Sequence, residues 1–196
     1  LLIFDEIITG FRYSPGPALS SHHQYAHAAD TCPLYTVPDL YCFGKAIANG
    51  MPLACVASPH DLMKEFEHEV FFSSTAATEC LSLAACKATL EVMQWEPVHE
   101  HIWEVGQRLI DGLKKFSLDF YQDYAPLPPN LIFETVGLPP RTQLQFPSED
   151  IRDRFLTDMV QRGHLLGRDN FLTYAHTEEQ VDSLLAAAEE VLNELT

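Results

Sequence analysis

The stretch Leu1-Leu2-Ile3-Phe4-Asp5-Glu6-Ile7-Ile8-Thr9-Gly10-Phe11-Arg12 decides how the rest of the chain is read. Leu1 to Phe4 form an uninterrupted apolar run that stops at two acids, the pattern of a parallel strand covered on both faces. In open α/β sheets the ligand crevice lies beyond the carboxyl ends of such strands, so Asp5 stands where function is usually found. Ile7, two residues further along an extended chain, falls on Asp5's side of the strand. The sequence opens inside this strand and without Met, which reads as a piece of a longer protein.

Two further stretches join it. Pro38-Asp39-Leu40-Tyr41-Cys42-Phe43-Gly44-Lys45-Ala46-Ile47-Ala48-Asn49-Gly50-Met51-Pro52 reads as a short strand, Tyr41 to Phe43, that stops at Gly44-Lys45. A lone lysine is most often a solvated charge. Lys45, however, follows an aromatic strand and a glycine and precedes an apolar, glycine-flanked turn, so its stem is expected to be enclosed. Enclosure favours the neutral amine, the form that attacks a carbonyl to make a Schiff base. Phe72-Ser73-Ser74-Thr75 then precedes a helix, and Thr75 suits two roles: a helix cap, or a ligand of phosphate at a helix N-terminus.

Composition narrows the partners. With 12 basic and 28 acidic residues the formal charge is −16, which repels phosphate backbones and anionic lipid and argues against nucleic acid or a membrane surface as partner. No apolar run approaches the ~20 residues that span a bilayer, and no signal-peptide pattern is present. Cys32, Cys42, Cys55, Cys80 and Cys86 show no paired spacing and read as buried free thiols of a reducing, cytoplasmic setting. His22, His23 and His27 could offer two metal ligands on one helical face. The sequence places no third, so a solvated cluster is favoured over a metal site.

Along the chain, Tyr13 to Pro38 is a long Pro-, Ser-, His- and Ala-rich loop with room for a short helix around Ser21 to Ala29. Leu53 to Ala57 is a second strand. Glu79 to Met93 carries apolar residues on more than one side and is expected to be a mostly buried helix. A further helix runs from about Val98 to Phe116, with Ile102, Val105, Leu109 and Leu113 at helical spacing. The three prolines of Tyr124 to Asn130 mark a boundary into a smaller α+β region. There Leu131 to Thr135 and Gln143 to Phe146 read as strands, and Ser148 caps a helix running to about Arg162. Thr177 and Gln180 have capping-box spacing before a last amphipathic helix.

The strings D-E-I-I-T-G-F-R, P-D-L-x-x-F-G-K-A-I-A-N-G-M-P-L and F-F-S-S-T, with F-L-T-Y-A-H-T-E-E-Q-V-D at Phe171 to Asp182, are similar in order to the signature segments of class III aminotransferases. They most resemble the subgroup around glutamate-1-semialdehyde aminomutase and sugar aminotransferases. The resemblance covers nearly the whole chain. It implies an α/β fold: residues 1–118 as the end of a fold-type I large domain, a mainly parallel sheet with helices, and residues 119–196 as a small C-terminal α+β domain. It also implies pyridoxal 5'-phosphate as cofactor, held by Lys45 as an internal aldimine. Asp5 would face the pyridine nitrogen, Ile7 would pack on the ring and Thr75 would bond a phosphate oxygen of the neighbouring subunit's cofactor. The reaction implied is transfer of an amino group between a donor and a carbonyl acceptor in a homodimer.

The chain departs from the pattern in three ways. The separation of Asp5 from Lys45 is longer than the resemblance leads one to expect, with the excess in Tyr13 to Pro38. After Thr75 the chain reads Ala76-Ala77-Thr78-Glu79 where relatives carry glycines. The N-terminal half, which the resemblance credits with the phosphate cradle and the aromatic residue on the ring, has no counterpart here, so this stretch by itself is expected to hold half a site. Asp5 and Lys45 would serve a racemase or epimerase of the same fold equally well, and a non-catalytic remnant is the alternative from another class. Arg12 could pair with a substrate carboxylate or with Glu6, and is left out of the catalytic set.

Overall fold

The structure, a computed structural model, describes residues 1–18, 37–71, 73, 79–123, 133–167 and 169–195, the side chains of 115–123 excepted. The His22, His23 and His27 cluster, Cys32, the Ser21–Ala29 helix and Thr75 lie outside the described residues. Packing divides the chain into two compact units, Leu1–His99 and Glu100–Thr196.

The first unit is built on a three-stranded sheet in the order β1 (Ile3–Asp5), β2 (Leu40–Phe43), β3 (Cys55–Ala57). β1 and β2 are parallel, with Ile3 opposite Leu40 and Asp5 opposite Cys42, and Glu6 N–H extends the ladder to the Cys42 carbonyl. β2 and β3 are antiparallel. The entry to the parallel pair is clamped by Asp39: its carboxylate accepts the Leu2 N–H at 2.6 Å, and its own N–H donates to the Leu2 carbonyl. Two short helices, α1 (His60–Met63) and α2 (Glu65–His68), lead to α3 (Cys80–Trp95). The core of this unit is Phe43, Ile47 and Ala48, with Phe11, Tyr41, Met51, Leu53, Ala57 and Cys86 packed against it.

Three expectations change here. β1 is not covered: Leu1, Leu2 and Ile3 are exposed, because β2 is its one neighbour among the described residues. α3 is not mostly buried either. Ser82 is its one buried residue, and Leu81, Leu83, Leu90, Val92 and Trp95 are exposed. A helix apolar on every side needs surroundings on every side, and the small core cluster supplies one. The described cysteines are free thiols as expected but not buried. Cys55 lies on the outer strand β3 and Cys80 opens α3, both exposed, while Cys42 and Cys86 are half-buried.

α4 (Val98–Asp123) starts in the first unit and otherwise belongs to the second. It is followed by β4 (Glu134–Leu138), β5 (Arg141–Gln145), α5 (Glu149–Gln161), β6 (Asp169–Phe171) and α6 (Glu178–Leu195). The three strands form an antiparallel sheet in that order. The β4–β5 hairpin closes on Pro139-Pro140. Gly137 takes φ +97° beside it, where a Cβ would meet the Arg141 carbonyl oxygen at 2.5 Å. Phe133, Phe146 and Phe155 pack as three tilted rings with centroids 5.3–5.8 Å apart.

Both predicted caps are present. Ser148 Oγ accepts the Ile151 N–H at 3.3 Å. The Gln180 N–H donates to Thr177 Oγ1 while Thr177 N–H donates back to Gln180 Oε1. Val181, Ala187, Ala188, Val191 and Leu192 are the buried stripe of α6. No helix among the described residues is long and apolar enough to cross a membrane, and no group of three or more metal-ligating side chains is found among them.

Candidate active site

Parallel pairing of β1 and β2 puts both strands' carboxyl ends on one edge, and of the predicted residues Asp5, Ile7 and Lys45 follow directly from those ends. Asp5 ends β1. Its Oδ1 accepts the Ile7 N–H at 3.1 Å as the chain turns away, and Oδ2 has no partner among the described residues. The turn from Ile7 to Arg12 is closed by bonds from Gly10 N–H to the Glu6 carbonyl and from Arg12 N–H to the Thr9 carbonyl. Glu6 is buried, and its carboxylate accepts from the Thr9 hydroxyl.

β2 ends at Phe43, and buried Gly44 passes the chain to a short 3-10 helix, Lys45–Ala48. Lys45 opens this helix with φ +42°, a left-handed backbone that side-chain-bearing residues seldom adopt and that clusters at functional positions. Ile7 bridges the two strand ends. A Cβ added to Gly44 would lie 3.4 Å from Ile7 Cγ2, so the isoleucine rests directly on the residue before Lys45. Asp5, Ile7 and Lys45 are thus brought to one place by strands far apart in sequence.

Lys45 differs from its expectation in one respect: it is exposed. The turn that carries it lifts it off the core formed by Phe43, Ile47 and Ala48. Lys64 and Lys87 pair with carboxylates of Asp61 and Glu91, whereas Lys45 has no such partner among the described residues. Among the described residues its amine is uncommitted.

These three residues fit the ring portion of a pyridoxal group. They offer a carboxylate oxygen for a ring nitrogen, an apolar side chain for a ring face and a free amine for an aldehyde carbon. The phosphate is a different matter. The first amides of α3 are already taken by the Glu79 carboxylate, which accepts from Leu81 N–H at 2.8 Å and from both the N–H and the hydroxyl of Ser82 at 2.6 Å. Those bonds, the Ser82 hydroxyl first, hold the Glu79 carboxyl below its ordinary range. A phosphate on these amides would have to displace a carboxylate.

Of two further residues near the site, Arg12 was weighed in the sequence and left out of the catalytic set, and His99 went unread. Arg12 is partly buried, which lowers its pKa. Glu6, its expected partner, is bonded to Thr9. His99, buried in the first turn of α4, reaches the Phe11 carbonyl at 3.1 Å. No spacing rule connects residues so distant, and no local pattern could have found that contact.

Residues 1–123 match the family profile described as Aminotransferase class-III. A glutamate-1-semialdehyde 2,1-aminomutase of Neisseria gonorrhoeae is 30% identical over 200 residues, covering 97% of this chain and 44% of that protein. The enzyme of the same name from Desulforapulum autotrophicum is 28% identical over 203 residues, covering 98% and 44%. Among solved structures, the pyridoxal-phosphate internal aldimine form of the Sphingopyxis FumI protein superimposes with a TM-score of 0.78 at 21% identity, covering 98% of this chain and 42% of that one. At that identity the likeness concerns the fold, a mixed helix-and-strand arrangement shared with fold-type I transaminases. The chain spans less than half the length of these relatives.

Proposed function

We propose, from the premise that this chain belongs to the class-III aminotransferase family, that the protein moves an amino group with the help of pyridoxal 5'-phosphate. The observation that carries this is the juxtaposition of Asp5 and Lys45 at the carboxyl ends of the parallel pair β1 and β2, with Ile7 resting on Gly44 between them. When bound, the cofactor supplies an electron sink for a carbanion at the substrate's amino-bearing carbon. The residues of this chain do the rest.

Lys45 Nζ, exposed and without an ion-pair partner among the described residues, would hold the cofactor at its aldehyde carbon. With the cofactor in place, the same Nζ would be the base that moves a proton at the substrate's amino-bearing carbon. Asp5 would use Oδ2 to keep the ring nitrogen protonated, since an anionic partner favours the charged form of a base. Oδ1 is occupied by the Ile7 N–H, which fixes the carboxylate's direction. Ile7 would support one face of the ring.

The finer parts of the reading follow from the same premise. Thr75 bonds a phosphate oxygen in a homodimer, reaching the partner's cofactor. The dimer is cytoplasmic. Residues 1–118 are the end of a large cofactor-binding domain and 119–196 a small α+β domain. The named relatives are aminomutases, so transfer within one molecule stands beside transfer from a donor to a carbonyl acceptor.

The test is visible absorption on adding pyridoxal phosphate to the whole protein and to its Lys45→Ala variant. A band in the parent that is lost in the variant is expected. A parent with no lysine-dependent band refutes the reading.

A further inference from the structure

The imidazole of His99 is 6% exposed and has no part in the chemistry above. Its Nε2 lies 3.1 Å from the Phe11 carbonyl oxygen. A carbonyl only accepts, so Nε2 carries the proton. Burial is the largest influence on this ring and lowers its pKa. Arg12 acts in the same sense, while backbone bonds to Phe11 and Ser14 oppose them. Burial thus disfavours the charged form of the ring.

The acceptor is unusual. Phe11 stands at φ +59°, a conformation that a bulky residue keeps only when its surroundings hold it there. Its N–H donates to the Gly16 carbonyl at 2.9 Å, its ring meets that of Phe43 with centroids 5.3 Å apart, and its carbonyl is aimed at His99. Gly10 beside it leaves no space, since a Cβ there would come within 2.6 Å of the Phe43 ring. The Gly10-Phe11 corner therefore grips the last residue of β2, two residues before Lys45. At its other end the same turn lays Ile7 on Gly44 and gives the Ile7 N–H to Asp5.

We infer that His99 is a positioning residue for the cofactor site: its bond to Phe11 locks the Glu6–Arg12 turn, and the locked turn sets Asp5 and Ile7 against Gly44 and Lys45. This rests on the reading that these residues hold a pyridoxal group. His99 touches neither cofactor nor substrate and acts through the backbone of the turn.

The test uses the whole protein with pyridoxal phosphate and two variants. His99→Gln keeps an N–H donor of similar reach; His99→Leu fills the space without one. Cofactor affinity by equilibrium dialysis and the visible circular dichroism of the Lys45-dependent band are measured beside the urea-unfolding midpoint. In His99→Leu, affinity falls about tenfold, the size expected when a buried carbonyl loses its donor and the loss is passed to binding, and the visible dichroism shrinks. His99→Gln stays within about twofold of the parent, as a preserved hydrogen bond requires. Unchanged affinity and dichroism in His99→Leu, whatever its unfolding midpoint, overturn the proposal, because a merely structural histidine behaves so. Equal losses in both variants overturn it too. Should His99→Leu not fold, His99→Asn, whose donor is too short to reach, replaces it with the same outcomes. A parent lacking the Lys45-dependent band overturns this proposal and the preceding reading together; a normal parent band with unaffected variants overturns this proposal alone.

Discussion

Replacing Gly10 with alanine tests whether the turn after β1 is gripped as tightly as its geometry implies. The new methyl would lie 2.6 Å from Phe43 Cδ1 and 2.8 Å from the Glu6 carbonyl oxygen. Ordinary contact begins near 3.4 Å, so the ring must recede by about 0.8 Å. Phe43 is 7% exposed and centres the core of its unit, leaving the ring little room to yield. Nor can Glu6 oxygen retreat without loosening its bond from Gly10 N–H. Overpacking of this kind costs about 1–3 kcal/mol, roughly 5- to 150-fold in the ratio of folded to unfolded protein. The assay is urea unfolding followed by circular dichroism, with Gly16→Ala alongside. A Cβ at Gly16 meets nothing within 4 Å and its backbone is unstrained, so that variant should match the parent within about 0.5 kcal/mol. If Gly10→Ala unfolds at the same midpoint as Gly16→Ala, the turn is not gripped by Phe43 and the account of the site's rigidity fails.

Other outcomes follow from the caps. Ser148→Ala and Thr177→Ala each remove a side-chain acceptor from a helix start, and each should cost about 1 kcal/mol, lowering the thermal midpoint of a chain this size by about 2–4 °C. Equal stability of parent and variant would show that the cap bonds do not matter. Glu79 predicts an acid limb. Its folded pKa is depressed below the ordinary 4.5, so its contribution is whole above that pH and is lost as pH falls through the lower folded value. Glu79→Gln should flatten stability against pH in that window; an unchanged acid limb counts against the cap.

What the sequence disclosed was local or strongly patterned. The Ser148 cap and the Thr177–Gln180 box were legible because each bond spans three residues. The positions of Asp5 and Lys45 were legible because the first ends an apolar strand and the second follows one by two residues, and the parallel pairing puts both strand ends on one edge. β6 went unread, since Asp169-Asn170-Phe171 shows no alternation and is a strand by virtue of its pairing with β5. The hairpin strands were misplaced by a few residues because the turn sits at Pro139-Pro140. The expected burial of Leu1–Ile3 and of α3 was a statement about surroundings, and apolar residues do not say whose surface will cover them. The His99–Phe11 contact belongs to the same class, a meeting of distant segments that only the folded chain reveals.

The clamp at Asp39 bears on the site from the other end of the strands. A parallel pair has no hairpin to set its alignment, so the alignment of β1 on β2 must be fixed by side chains. The reciprocal bonds between Leu2 and Asp39 do this at the point where both strands begin. Sliding one strand by a single residue would turn Asp5 to the opposite face of the sheet while leaving Lys45 in place. The length of the connection between the strands matters much less, since doubling a flexible loop costs only about 0.6 kcal/mol. The length of the connection is therefore weakly constrained, whereas Asp39, which touches nothing that reacts, holds the alignment of the strands.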